Sequence, residues 1–141
     1  MRPRHLLAAL VAMIAAPALA GGDPAAGEKS FARCKACHMI VADDGTVIVK
    51  GGRTGPNLYG VVGRVAGTGD FNGYSASMKK AGEKGLTWDL EHFTAYVSDP
   101  TGFLRSYLGD PKARGKMTFK LDKGLEDIWA YLESVSPPAG G

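Results

Sequence analysis

The stretch Cys34-Lys35-Ala36-Cys37-His38 decides how the rest of this 141-residue chain is interpreted. The sequence has two cysteines, separated here by two residues, and a histidine directly follows the second one. The pattern C-x-x-C-H is typical of the covalent attachment of c-type haem. Two thiols at this spacing can add to the two vinyl groups along one haem edge, and the imidazole that follows can reach the iron. The motif therefore predicts one covalently attached haem c.

Three other chemistries use paired cysteines. A disulfide that closes so small a loop stabilises little. A thioredoxin-like redox pair is expected within a β-α-β pattern, which does not surround residues 34–37, and it leaves the histidine unexplained. A zinc site needs a fourth ligand, and the sequence has no second Cys/His pair. Haem attachment is favoured because it uses both thiols and the histidine.

The composition fits a small domain that is built around such a group. The chain has 20 glycines and eight prolines, yet 45% of its residues are hydrophobic, which is too many for a disordered chain. Long loops of this kind are uncommon unless they are functional. We expect a single domain in which a haem supplies the apolar volume that short helices cannot supply.

The first twenty residues have the pattern of an export signal. Two arginines precede an uninterrupted apolar run over Leu6–Ala16, and Ala18-Leu19-Ala20 is typical of a signal peptidase site. The run is shorter than the about 20 residues that span a membrane, although an uncleaved anchor is the alternative. We expect residues 1–20 to be a cleaved secretory signal peptide and residues 21–141 to be one domain in the periplasm.

Periodicity and capping residues predict an all-α fold of four to five short helices with long loops. A small hairpin is expected around Asp44-Gly45 and Thr46–Val49, and Gly51–Gly73 is expected to be loop with at most one helical turn near Leu58. Residues 109–122 lack periodicity. The expected helices are Pro24–Cys34, Ser75–Ala81 ended by Gly82, Thr87–Ser98, Pro100–Leu108, and a last one carrying Leu125, Ile128, Trp129 and Leu132.

A second axial ligand separates an electron carrier from a haem that binds ligands, because an open sixth position favours gas binding or peroxidase chemistry. After residue 38, the candidates are Met39, Met78, His92 and Met117. Met39 is too close to the motif, Met78 is better explained by packing, and His92 by a surface position. Met117 lies in an aperiodic segment, where ligation and gap-filling in the core are equally compatible with the pattern. The residues alone leave this choice open.

The chain resembles a class I cytochrome c, and most closely the bacterial cytochrome c2 group, over Gly21–Val135. The matching landmarks occur in the family's order. They are Gly27, Phe31, the Cys34–His38 motif, Thr54-Gly55-Pro56-Asn57-Leu58-Tyr59-Gly60, Gly63-Arg64, Trp88, Tyr96, Pro100, Lys116-Met117-Thr118-Phe119 and Ala130-Tyr131-Leu132. Compared with mitochondrial relatives, residues 39–53 and 104–115 are extended.

The resemblance implies a role for each site residue. Cys34 and Cys37 would carry the thioethers, and His38 and Met117 would be the axial ligands of the iron. The backbone carbonyl of Pro56 would accept a hydrogen bond from the His38 ring. Further roles are implied for residues around the haem: Arg64, Tyr74 and Trp88 at a propionate, Tyr96 towards the Met117 sulfur, and Gly27 with Tyr131 and Phe31 with Ile128 at a helix crossing.

Charge is unevenly distributed along the chain. Without Arg2 and Arg4 the net charge falls from +3 to +1, which predicts no nucleic-acid binding, but residues 112–123 carry +4 and residues 124–141 carry −3. The resemblance implies a lysine-rich haem edge that meets acidic partners, with a merely solvated surface as the alternative. The candidates are Lys35, Lys112, Lys116 and Lys120, together with Lys79, Lys80, Lys123 and Arg114.

The function implied by the resemblance is that of a soluble, monomeric, periplasmic one-electron carrier rather than an enzyme. It would accept electrons from a cytochrome bc1-type complex and pass them to a photosynthetic reaction centre or to a terminal oxidase of a respiratory chain. The alternative is a c-type haem enzyme or gas-binding sensor, peroxidase-like, with a labile sixth ligand.

Overall fold

A computed structural model describes residues 21–137 of the chain. The signal peptide expected over residues 1–20 lies outside the described residues. Within them, the chain forms five short helices and one small hairpin joined by long loops. The helices are α1 Pro24–Ser30, continued by a 3₁₀ turn over Phe31–Arg33, α2 Ala76–Glu83, α3 Leu90–Ser98, α4 Pro100–Leu108 and α5 Leu125–Val135, and the strands are β1 Ile40–Val41 and β2 Val47–Val49.

Side-chain caps begin four of the five helices. In each, a carboxylate or hydroxyl oxygen accepts a hydrogen bond from a backbone N–H of the first turn, which has no partner within the helix. Proline at the first helical position of α1 and α4 costs nothing, since that N–H would be unpaired in any case. The capping residues are Asp23 for α1, Ser75 for α2, Asp89 for α3 and Asp99 for α4.

The structure corrects two of the expected helical boundaries. Gly82 does not end α2 but lies within it, buried where its bare Cα faces the Ala66 carbonyl and a side chain would not fit. The third helix begins at Leu90 rather than Thr87, because residues 87 and 88 pair with residues 64 and 65 in an extended conformation. As expected, Leu58 lies in the long loop, and a single turn begins there, with the Val61 N–H donating to the Leu58 carbonyl at 3.2 Å.

Helices α1 and α5 form the closest packed helix pair of the described chain. At Gly27 a Cβ would overlap the backbone of Asp127 and lie 2.8 Å from the Tyr131 Cβ, so only glycine permits this approach. One turn later the rings of Phe31 and Tyr131 lie 5.8 Å apart. Phe31 and Ile128 belong to the same buried cluster, and this crossing forms one side of the main core.

A second buried cluster packs α2 against α4. It includes Met78, Leu104 and Leu108, and it also takes in Ala113, which is 2% exposed and lies beyond the end of α4. Leu121 belongs to the main core instead. Residues 113–121, which we call the Met117 segment, are thus anchored at Ala113 in the second cluster and at Leu121 in the main core.

The two strands form an antiparallel hairpin, as the sequence predicts, in which Ile40 pairs with Val49 and Val41 with Val47. The other named elements are helices, and long loops join them. No helix within residues 21–137 is long and apolar enough to cross a membrane.

Candidate haem site

A cavity of about 310 Å³ lies between the residues around Met117 and the loops that follow α1 and β2. Its walls are mainly apolar, with Phe31, Leu125 and Ile128 contributed by the crossing of α1 and α5. Every residue that the sequence analysis assigns to the site lines this one cavity. These residues are Cys34, Cys37, His38, Pro56, Arg64, Tyr74, Trp88, Tyr96 and Met117.

The C-x-x-C-H motif forms a tight turn directly after the 3₁₀ continuation of α1. The backbone N–H groups of Cys37 and His38 both donate to the carbonyl of Cys34, at 3.2 and 2.9 Å. The two cysteines do not form a disulfide with each other; Cys34 is half-buried and Cys37 exposed. Burial raises the pKa of the Cys34 thiol to about 11. The turn thus brings two thiols and the imidazole to one wall of the cavity.

The ring of His38 has a fixed orientation. Its Nδ1 lies 2.8 Å from the carbonyl oxygen of Pro56, and because a carbonyl can only accept, Nδ1 carries the proton and Nε2 keeps a free lone pair. Burial lowers the pKa of His38, and the hydrogen bond to Pro56 opposes this only in part. The imidazole is therefore neutral, which is the form that ligates iron.

Asn57 holds the Pro56 loop in place through both ends of its side-chain amide. Its Oδ1 accepts from the backbone N–H groups of Val41 and Tyr59, each at 3.0 Å, and its Nδ2 donates to the Val41 carbonyl at 2.8 Å. The sequence shows an asparagine beside Pro56 but does not reveal this role. The partner residue lies 16 positions away, and its pairing depends on the hairpin.

Arg64, Tyr74 and Trp88 meet at another part of the cavity wall. A Cβ placed on Gly69 would lie 2.6 Å from the Tyr74 hydroxyl and 3.0 Å from a terminal nitrogen of Arg64, so these two polar groups are neighbours. The Arg64 guanidinium donates to the carbonyls of Asn57 and Tyr59. The backbone N–H of Trp88 donates to the Arg64 carbonyl at 2.9 Å. The Arg64 cation and the Tyr74 hydroxyl thus converge there, and Trp88 is joined to Arg64 through the backbone.

Tyr96 and Met117 approach the cavity from α3 and from the segment before α5. The Tyr96 ring packs 5.1 Å from that of Trp88, and burial raises the pKa of Tyr96 to about 12, so its hydroxyl stays protonated. No hydrogen bond joins Tyr96 to Met117 within residues 21–137. Just beyond Met117, the N–H of Leu121 donates to the Val97 carbonyl at 3.1 Å and fixes the segment to α3.

The other candidate axial ligands differ in position. Met39 and His92 do not line the cavity, and the His92 ring instead has Nδ1 3.0 Å from the Thr87 carbonyl. Met78 does line it, although it is also buried in the second cluster between α2 and α4. The structure thus brings two thioethers, those of Met78 and Met117, to the cavity.

The residues present fit a covalently attached haem. Two thiols suit covalent attachment to the vinyl groups of a haem, a neutral imidazole and a thioether suit the axial positions of its iron, and the apolar walls suit its macrocycle. Arg64 supplies a positive charge for an acidic substituent that would otherwise be costly to bury. Gly55 packs directly against the His38 ring. A Cβ placed on Gly55 would lie only 2.8 Å from Nδ1 of His38, so the backbone holds the ring from that side as well.

The chain is similar over most of its length to known c-type cytochromes. The chain is 60% identical over 135 residues to cytochrome c2 of Cereibacter sphaeroides, covering 92% of this chain and 93% of the relative. It is also 60% identical over 132 residues to cytochrome c-551 of Roseobacter denitrificans, covering 92% and 94%. The crystal structure of cytochrome c2 from Rhodobacter sphaeroides superposes with a TM-score of 0.80 at 59% identity, covering 83% and 99% of the two chains.

The chain belongs to the cytochrome c2 family. No family model matches it. Its fold is that of the class I cytochromes c, and like its cytochrome c2 relatives it carries covalent haem c, for which Cys34, Cys37 and His38 form the attachment motif. As a member of this family it is an electron carrier.

Proposed function

We propose that this cytochrome carries one electron at a time between membrane redox complexes in the periplasm. In this proposal Cys34 and Cys37 form the thioether bonds, and His38 and Met117 are the axial ligands of the iron. The observation that carries the proposal is the convergence of the predicted site residues on one cavity, with the His38 lone pair left free by the Pro56 hydrogen bond.

The haem, when bound, supplies a centre that gains and loses one electron. The chain's own residues keep its surroundings similar in both states. His38 cannot rotate without breaking its bond to Pro56, and Asn57 prevents that loop from moving away. Arg64 and Tyr74 would bind a propionate, Trp88 would donate to it, and Tyr96 would face the Met117 sulfur. A rigid, mostly apolar site of this kind supports electron transfer, a reaction in which no covalent bond is formed or broken.

Partner docking is proposed through the lysine-rich edge beside the cavity mouth. Lys116 lines the cavity, and Phe119, also in its lining, is 38% exposed, so the site reaches the surface there. The lysines proposed for this docking face are exposed: Lys35, Lys112, Lys116 and Lys120. A positive surface of this kind attracts acidic partners and orients them before contact.

The proposed donor is a cytochrome bc1-type complex, and the proposed acceptor is a photosynthetic reaction centre or a terminal oxidase. The periplasmic location rests on the export pattern of residues 1–20 and on the similarity to cytochromes c2. The donor and the acceptor would bind the same docking face, so the cytochrome would dissociate from one partner before it binds the next.

Carbon monoxide binding tests the assignment of Met117. We expect ferrous Met117→Ala to keep its haem but to bind carbon monoxide rapidly, because the sixth position opens. Met78→Ala is the matched control, since it removes the other methionine that lines the cavity, and it should refuse carbon monoxide like the native protein. Rapid binding by Met78→Ala alone would assign the ligand to Met78, and rapid binding by the native protein would favour a gas-binding sensor or peroxidase-like enzyme.

The salt dependence of electron transfer tests the docking face. We expect Lys116→Glu to lower the bimolecular rate with a purified bc1-type complex several-fold at low ionic strength, and the loss to fade as salt screens the charges. Lys29→Glu changes the net charge equally at the exposed end of α1 and serves as the control. Equal losses for both variants, or a rate that does not depend on salt, would contradict docking at this face.

A further inference from the structure

Lys120 differs from the other lysines of the docking face because a carboxylate of its own chain already holds it. Its Nζ lies 3.1 Å from Oδ1 of Asp99. Within residues 21–137 the only other pairing of this kind joins His92 to Asp89, so no carboxylate lies within ion-pair distance of Lys35, Lys112 or Lys116. Lys120 alone in that set enters docking with its charge partly neutralised.

Asp99 is placed to act on two elements at once. The same Oδ1 accepts the N–H of Gly102 at 3.3 Å and thereby caps α4, while its ion pair reaches the segment that carries Met117. Lys120 follows Met117 by three residues, and the next residue, Leu121, is fixed to α3 by its hydrogen bond to Val97. Before Met117 the segment is joined to α4 by hydrogen bonds from Arg105 to the Ala113 carbonyl and from the Gly115 N–H to the Thr101 hydroxyl, and after Met117 the ion pair joins it to the residue that caps α4.

The pair is also easily exchanged. The side chains of Lys120 and Asp99 are 63% and 55% exposed, and ion pairs at such positions contribute little to stability. An incoming carboxylate can therefore replace Asp99 at Lys120 without disturbing the fold. The hydrogen bond from Lys120 is also the main reason that the pKa of Asp99 lies below its ordinary value, so this carboxyl is ionised and able to compete at neutral pH.

We propose that Asp99 is an internal competitor for Lys120, which it occupies in the free protein and yields to a carboxylate of an acidic partner on docking. This inference rests on the docking face proposed above. It makes Asp99 a positioning residue that acts through Lys120. It also links partner binding to the residues after Met117, because Lys120 gives up its ion pair with the cap of α4 when the partner takes the lysine.

A double-mutant cycle on the haem-loaded protein tests this competition, with poly-L-glutamate as the carboxylate probe and dissociation constants from NMR titration of the ferrous form. Asp99→Asn removes the charge but keeps a capping side chain, since asparagine caps helices as well as aspartate. We expect Lys120→Gln to weaken binding less than twofold in the native background and about threefold in the Asp99→Asn background, where the lysine is free.

Asp89→Asn is the matched control, because Asp89 caps α3 in the same way but pairs with no lysine within the described residues. In that background Lys120→Gln should again cost less than twofold. Equal costs of Lys120→Gln in all three backgrounds would overturn the competition.

A further variant, Lys116→Gln, separates this failure from that of the docking face. If it weakens binding while the cycle is additive, only the competition is wrong. If neither lysine affects binding, the docking face and the competition fall together. An unchanged ferric absorbance band from methionine ligation in Asp99→Asn shows that the variant remains folded around its site.

Discussion

Replacing Asn57 by alanine tests how the loop beside His38 is held. The side chain makes three hydrogen bonds, two at 3.0 Å and one at 2.8 Å, and alanine leaves the N–H and carbonyl of Val41 and the N–H of Tyr59 without these partners. A hydrogen bond contributes about 1 kcal/mol, and an unpaired buried group costs about 1–3 kcal/mol. Since the site is only partly buried, water satisfies some of these groups, and we expect a loss of about 2–3 kcal/mol in the free energy of unfolding.

Guanidinium chloride unfolding of the haem-loaded protein, followed by far-UV circular dichroism, measures this loss. At roughly 4 °C per kcal/mol for a domain of this size, the melting temperature should fall by about 8–12 °C. The amide hydrogen of Val41 should also exchange faster with solvent, because Asn57 is its acceptor.

The matched control is Asn72→Ala. Asn72 is exposed, and its side chain makes no hydrogen bond within the part of the chain that the structure describes, so the loss should stay within about 0.5 kcal/mol. If Asn57→Ala is as stable as this control, the amide does not hold the Pro56 loop, and the argument for a fixed His38 ring loses its support.

Two further variants test the packing and the electrostatics. Gly27→Ala should cost about 1–3 kcal/mol in the free energy of unfolding despite the better helix propensity of alanine, because the new methyl group meets the backbone of α5. Ala25→Gly, at an exposed position of α1, measures the effect of helix propensity alone. A gain in stability for Gly27→Ala would show that the two helices are not in close contact. The hydrogen bond from Lys120 lowers the pKa of Asp99 below its ordinary value of 3.8, so the ionised carboxylate stabilises the fold above pH 3.8, and this contribution disappears as the pH falls through the lowered pKa. The difference in the free energy of unfolding between the native protein and Asp99→Asn should therefore shrink over that acid range. A constant difference would mean that the ion pair with Lys120 is not formed in solution.

Local signals predicted most of the helices. The start of α1 depends on Asp23 and the proline after it, and α4 forms over Pro100–Leu108 as expected, because a capping aspartate, a proline and a following glycine all lie within the element or beside it. The attachment motif is equally local. Five consecutive residues are enough to predict haem attachment. The more distant site residues, in contrast, were assigned only through the resemblance to class I cytochromes c.

The features that were not predicted depend on contacts between distant parts of the chain. Gly82 has the usual pattern of a helix end, and only its packing against Ala66 explains why α2 continues through it. Asn57 binds a strand 16 positions earlier, and Asp99 holds Lys120 from the start of another helix. No periodicity within a single element reveals such pairs, since each partner is ordinary in its own local sequence.

The anchoring of residues 113 and 121 in two separate cores has a consequence for how this cytochrome can diversify. Ala113 and Leu121 are buried, whereas the side chains of Arg114, Lys116 and Lys120 between them are exposed. Substitutions at these three positions leave both cores intact, so the surface charge around Met117 can change without loss of folding. If partners dock at the proposed face, partner choice and thermodynamic stability are encoded by different residues of one short segment, and the first can change while the second is kept.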